Sequence, residues 1–246
     1  MGLKYLKACV YPSDLPQGMS TDRMPGLTVE QLLVERFDGT EHNRLLTAKL
    51  EHCCRKICMM CSAGERALEA EREFYLTTYR DAPVLFGQDA IELSYHLEAF
   101  VYFARSSLDL VATIFGLLFF KKKMDSFNDL TKMIISDTKK DTIAHLDEDF
   151  VSWVASERRD PNGWLPVLCG DERGRALRDK IAHQTGFPIH YEELFVDSER
   201  DYAVVRVSDD TTFPLKNFLD AVRDGVIDNF IRFEKEAMRL YDKPAA

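Results

Sequence analysis

The feature that most limits what this chain can fold into is the apolar periodicity between about Asp89 and Phe120. Leu93, Leu97, Phe100, Ala104, Leu108, Val111 and Phe115 recur at steps of three and four, the repeat of one helical face. The most apolar part, Leu110–Phe120, falls short of the roughly 20 residues a bilayer-spanning helix needs. Asp109 before it and Lys121–Lys123 after it point instead to a helix buried in a core.

The rest of the chain supplies helices to cover it. Residues 1–26 carry Pro12, Pro16, Gly18, Pro25 and Gly26 and read as a loop-rich lead with one short strand at "LKACVY". Helical pattern begins at Thr28, where Thr28 and Gln31 have capping-box spacing. "FDGT" interrupts it, and a long helix follows from about Glu41 to Tyr79, with a break expected at Gly64. Pro83 ends that helix, because proline disfavours helix before it. Shorter helices are predicted over Ser126–Ser136, Leu146–Glu157, Trp164–Cys169 and about Arg173–Gln184, the last stopped by Gly186. Then β-formers take over, and 187–196 with 202–208 read as a β-hairpin. Pro214 opens a last helix over about 215–241, striped by Phe218, Val222, Val226, Phe230 and Phe233. The expected fold class is mainly α, with a small β-hairpin at about 187–208.

Charge narrows the partners. A net charge of −9 excludes non-specific coating of nucleic acid, which depends on neutralising phosphates, but leaves room for RNA or nucleotide at one local basic site. The N-terminal segment shows no secretion signal, and Leu6 stands where a myristoylation pattern needs Ser or Thr. Six cysteines without such a signal imply reduced thiols, a cytoplasmic location and no membrane association.

Four of those cysteines cluster in "HCCRKICMMC", His52–Cys61. A metal-binding or redox protein built on Cys53–Cys61 is one reading. The favoured one is packing: Cys54, Cys58 and Cys61 follow helical spacing beside the stripe Leu46–Leu50–Cys53–Ile57, and a free cysteine behaves as a small apolar residue. Structural zinc sites draw a second ligand pair from elsewhere, whereas Cys9 and Cys169 stand alone, so no metal or other cofactor is expected.

The chemistry-bearing stretch is "GRALRDKIAHQTGF", residues 174–187. It is basic within an acidic chain, with Arg173, Arg175, Arg178 and Lys180 against Glu172 and Asp179. Asp179 and His183 are four apart and share a helical face, so the carboxylate orients the imidazole and favours its protonated form. The C-terminal helix end acts in the same sense. A poised histidine moves protons, and the Arg178 guanidinium matches a phosphate's charge and geometry. Together they are the minimum for metal-free cleavage of an RNA phosphodiester. Leu177 and Ile181 turn the opposite face to the core. On the long helix, Glu98, Arg105 and Asp109 fall on one side at spacings of seven and four. They are either a second polar wall of the site, needing partners if buried, or that helix's exposed face.

At "LRDKIAH", Leu177–His183, the chain resembles the HEPN domains, whose motif is Arg-x4–6-His with a polar residue after the arginine, here Asp179. The resemblance covers about residues 87–243, implies an up-and-down helical bundle there, and leaves residues 1–86 as an N-terminal loop and helical extension. It also implies a metal-independent endoribonuclease acting as a homodimer, with Arg178 and His183 as the catalytic pair and Asp179 as their helper. Arg175, Lys180, Arg105, Glu98 and Asp109 are then the substrate-binding candidates. A toxin or defence nuclease held in check by an inhibitory protein partner fits that reading. The alternative is a non-catalytic module of the same fold that binds nucleotide or protein. The β-hairpin after the motif departs from the simplest members of the family.

Overall fold

A computed structural model describes residues 6, 10–12, 14–17, 19–20, 23–36, 41–74, 88–136, 146–160, 163–170, 177, 189–190, 204–208 and 211–242. Among these, seven helices and three short strands occur in the order α1 (Leu27–Arg36), α2 (Glu41–Phe74), α3 (Gln88–Phe120), α4 (Phe127–Ile135), α5 (Glu148–Arg159), α6 (Trp164–Cys169), β1 (Ile189–His190), β2 (Val204–Ser208), β3 (Thr211–Pro214) and α7 (Leu215–Asp242). The protein is mainly helical, as its periodicity predicts.

The expected core helix is α3, and every residue of its apolar stripe is buried. Helix α2 lies antiparallel along it: Gly64 faces Phe100, while Cys53 Sγ lies 3.4 Å from the Ser107 carbonyl. The break expected at Gly64 does not occur. A Cβ there would come within 3.2 Å of the Phe100 ring, so the glycine serves a close helix–helix approach rather than a kink. Helix α7 runs parallel to α3 on another side, pairing Phe218 with Phe100, Phe230 with Phe115, and the Tyr241 hydroxyl with the Leu118 carbonyl. Phe233 is the hub of the far end, with ring centroids 5.2 Å from Phe115, 5.9 Å from Phe127 and 5.0 Å from Phe150. Helix α2, placed by sequence in the N-terminal extension, shares one buried cluster with α3 and α7 that reaches from Leu6 to Ala237.

By length and composition, α3 could cross a membrane over Ile91–Phe120. The apolar run is thus longer than the stretch Leu110–Phe120 suggests, but 67% of its most apolar window is buried against neighbouring elements.

Local starts and stops follow side-chain chemistry. Ser126 caps α4 by accepting from the Asp129 N–H, and Asp147 caps α5 by accepting from the Asp149 N–H. That cap shifts α5 two residues past its expected limits at both ends. Helix α1 is not capped by a Thr28–Gln31 box. The Gln31 amide donates to Glu35, and the first N–H groups of α1 are received by Glu234 of α7, 3.1 Å from the Val29 nitrogen. The lead segment is docked as well: Leu6, Tyr11, Met19 and Met24 are buried, and the Tyr11 hydroxyl donates to the Pro25 carbonyl.

Of the expected hairpin, β1 and β2 are described and pair antiparallel, with Ile189 opposite Val205, while residues 191–203 lie outside the described residues. A third strand, β3, adds to it in the order β1-β2-β3, with a bulge between Arg206 and Ser208. Its last residue, Pro214, is tolerated because β3 is an edge strand.

Candidate functional site

Leu177 is helical and 1% exposed, the inward position expected for it in the basic stretch. Arg175, Arg178, Asp179, Lys180, Ile181 and His183 lie outside the described residues.

The row on α3 is described. Arg105 is 7% exposed, and its guanidinium lies 3.2 Å from the Asp109 carboxylate one turn on. Asp109 is half-buried and also accepts from the Phe127 N–H, so it ties the start of α4 to α3. Of the two readings of this row, inward and partnered holds for Arg105 and Asp109. Glu98 is half-buried about 10 Å back along the helix, two turns from Arg105. The outward face of α3 carries Ile91, Tyr95 and Tyr102 instead.

Around Arg105 the structure assembles groups from three further helices. Burial pushes the Cys169 thiol at the end of α6 up to about 11, while the charge of Arg105, a hydrogen bond with it and the charge of Arg158 pull it down. The Cys169 carbonyl accepts from the Asn128 side chain of α4 at 3.0 Å. Arg158, in the last turn of α5, donates to Asn128 Oδ1 at 2.9 Å and to the Thr131 hydroxyl at 2.7 Å. Arg158 is therefore committed to hydrogen bonds within the bundle. Arg159 and Lys121–Lys123 are exposed, with Lys123 paired to Asp125.

This network holds α3, α4, α5 and α6 together at the end of α6. Gly170 follows α6 at φ +75, and its N–H donates to the Pro166 carbonyl. Arg105 thus helps hold the end of α6, which precedes the Arg/His segment in sequence. Asn128, Thr131, Arg158 and Cys169 carry no sequence signal of this role. Asn128, Thr131 and Arg158 sit on short helices whose polar residues look like ordinary surface, and Cys169 ends a short apolar helix.

The cysteine cluster packs as its spacing predicts. Cys53, Cys54, Cys58 and Cys61 are all buried, and burial raises each thiol, Cys58 to about 11 and Cys61 to about 12. Protonated, buried thiols are poor nucleophiles and poor metal ligands. Among the described residues no three His, Cys, Asp or Glu side chains converge in a metal-holding arrangement.

Fold and site together define a mainly helical bundle with a three-stranded antiparallel sheet, in which a buried ionic network precedes a basic Arg/His segment. No family model, curated protein or solved structure matches this chain.

Proposed function

We propose that the protein is a metal-independent endoribonuclease of HEPN type, with Arg178, His183 and Asp179 as its working residues. The observation that carries the reading is the segment "LRDKIAH" itself, entered through a buried helical Leu177 and preceded by the Arg105–Asp109–Cys169 network.

In the proposed reaction the 2′-hydroxyl loses its proton and attacks the adjacent phosphorus. The P–O2′ bond forms and the P–O5′ bond breaks, and the leaving O5′ takes up a proton. The products are a 2′,3′-cyclic phosphate and a 5′-hydroxyl, with water neither consumed nor released. His183 moves the protons, Arg178 stabilises the extra charge on the phosphorane, and Asp179 holds the imidazole. Arg175 and Lys180 add positive charge for the strand. A homodimer that brings two such segments together belongs to the same proposal, as does an inhibitory protein partner.

Purified protein is expected to cleave single-stranded RNA in EDTA. His183→Ala and Arg178→Ala are expected to abolish cleavage. Arg178→Lys is expected to restore part of it, because lysine lacks the bidentate phosphate contact. Asp179→Asn is expected to weaken it most where imidazolium is needed. Cleavage that survives His183→Ala would sink this reading.

A further inference from the structure

A groove of about 410 Å³ opens between the first turn of α5 and the last turns of α7, remote in sequence from the Arg/His segment. One wall is an aromatic–cation stack. The Arg232 guanidinium carbon lies 4.6 Å from the centroid of the Trp153 ring, and Trp153 is fixed by Phe150 and Phe233, with centroids at 5.8 Å and 6.3 Å. Arg232 lies over the indole and is exposed, so its guanidinium is reachable from solvent while held by the ring. Lys235, also exposed, lines the same groove one turn further on.

The remaining charges are not equivalent. Glu236 is 4% exposed and accepts from Arg239 and from the Asp147 N–H, which joins the two walls. Arg239 and Glu236 therefore neutralise each other. The Asp147 carboxylate is occupied in capping α5. Among the described residues Arg232 and Lys235 have no acidic partner, and they line the groove beside the positive end of α5 together with the exposed Asp149. Such a lining takes a flat ring on the exposed guanidinium and one negative charge at Lys235. Asp147 and Asp149 repel a second and third.

We propose that this groove binds a nucleotide unit carrying a single phosphate, with its base stacked on Arg232 and its phosphate at Lys235. The volume lies within the range of small-ligand pockets, about 300–1,000 Å³. Stacking on an arginine plane tolerates any base, so the site reads nucleotide rather than sequence. The inference stands on the groove alone and does not rest on the cleavage reading.

The test is calorimetric titration of the full chain with AMP, ATP, inorganic phosphate, a poly-glutamate peptide and a single-stranded deoxyadenylate. The deoxy strand lacks the 2′-hydroxyl that cleavage needs, so binding is measured whether or not the protein is a nuclease. Saturable binding of AMP or of the strand is expected, weakened about tenfold by Arg232→Ala. Lys235→Ala is expected to weaken it severalfold with the melting temperature unchanged, and Arg232→Ala to lower the melting temperature only slightly, through the lost contact with Trp153. Binding of AMP alone identifies free nucleotide as the source, and binding of the strand identifies nucleic acid. No saturable binding of either, or binding indifferent to Arg232→Ala, overturns the proposal. Phosphate or poly-glutamate binding as tightly as AMP would also overturn it, since charge without stacking would then suffice. ATP binding as tightly as AMP would remove the single-phosphate restriction and with it the role given to Asp147 and Asp149.

Discussion

Glu234→Gln isolates one buried carboxyl. Glu234 is 3% exposed in the interior of α7 and receives the N–H groups at the start of α1. Burial pushes its carboxyl up from 4.5 to about 7, even though hydrogen bonds from Val29, Gly26 and Thr28 pull it down. The folded state thus holds this proton more tightly than the unfolded state does. The stability it contributes is fully present below 4.5 and is lost as pH rises through about 7. At about 1.4 kcal/mol per pKa unit the whole effect is about 3 kcal/mol. Glutamine cannot titrate, and the protonated acid resembles it. The stability of wild type minus that of Glu234→Gln should therefore fall by about 3 kcal/mol between about pH 4.5 and pH 8. Glu30, which burial also raises, titrates in both proteins and cancels from the difference. Urea denaturation across that range measures it. A difference that stays constant with pH would refute the placement of Glu234 as a desolvated cap.

Other outcomes follow from packing. Gly225→Ala would put a Cβ 2.3 Å from the Trp164 ring. The overpacking cost of about 1–3 kcal/mol should exceed the gain in helix propensity of about 1 kcal/mol, so a lower melting temperature is expected. A more stable variant would contradict the close seating of α6 on α7. Cys58→Ser should cost about 1–3 kcal/mol in chemical denaturation if the hydroxyl goes unsatisfied. Elemental analysis of the wild type is expected to find no zinc, and one zinc per chain would revive the metal reading of Cys53–Cys61.

Most of the helices were legible because apolar residues on α2, α3 and α7 recur with the helical period over many turns, and Ser126 and the proline and glycine positions mark their ends. What escaped depends on partners distant in sequence. The cap of α1 comes from a residue 205 positions from Val29, so the local Thr28–Gln31 spacing was misleading. Gly64 looks like a helix breaker until Phe100 is packed against it. Strand β3 is only Thr211–Pro214, too short to show alternation, and it ends at a proline that reads as a helix start. At the candidate site, spacing placed Arg105 and Asp109 on one face but could not say that the face turns inward. Nothing in the spacing of Asn128, Arg158 and Cys169 foretold that they meet.

The central claim is metal-free transesterification at Arg178 and His183, and the chemical identity of the RNA ends tests it most directly. Single-stranded RNA incubated with the protein in EDTA and analysed by mass spectrometry is predicted to carry 2′,3′-cyclic phosphate and 5′-hydroxyl ends, absent with His183→Ala. Fragments bearing 5′-phosphate ends, or intact RNA after incubation with well-folded wild-type protein, would contradict it.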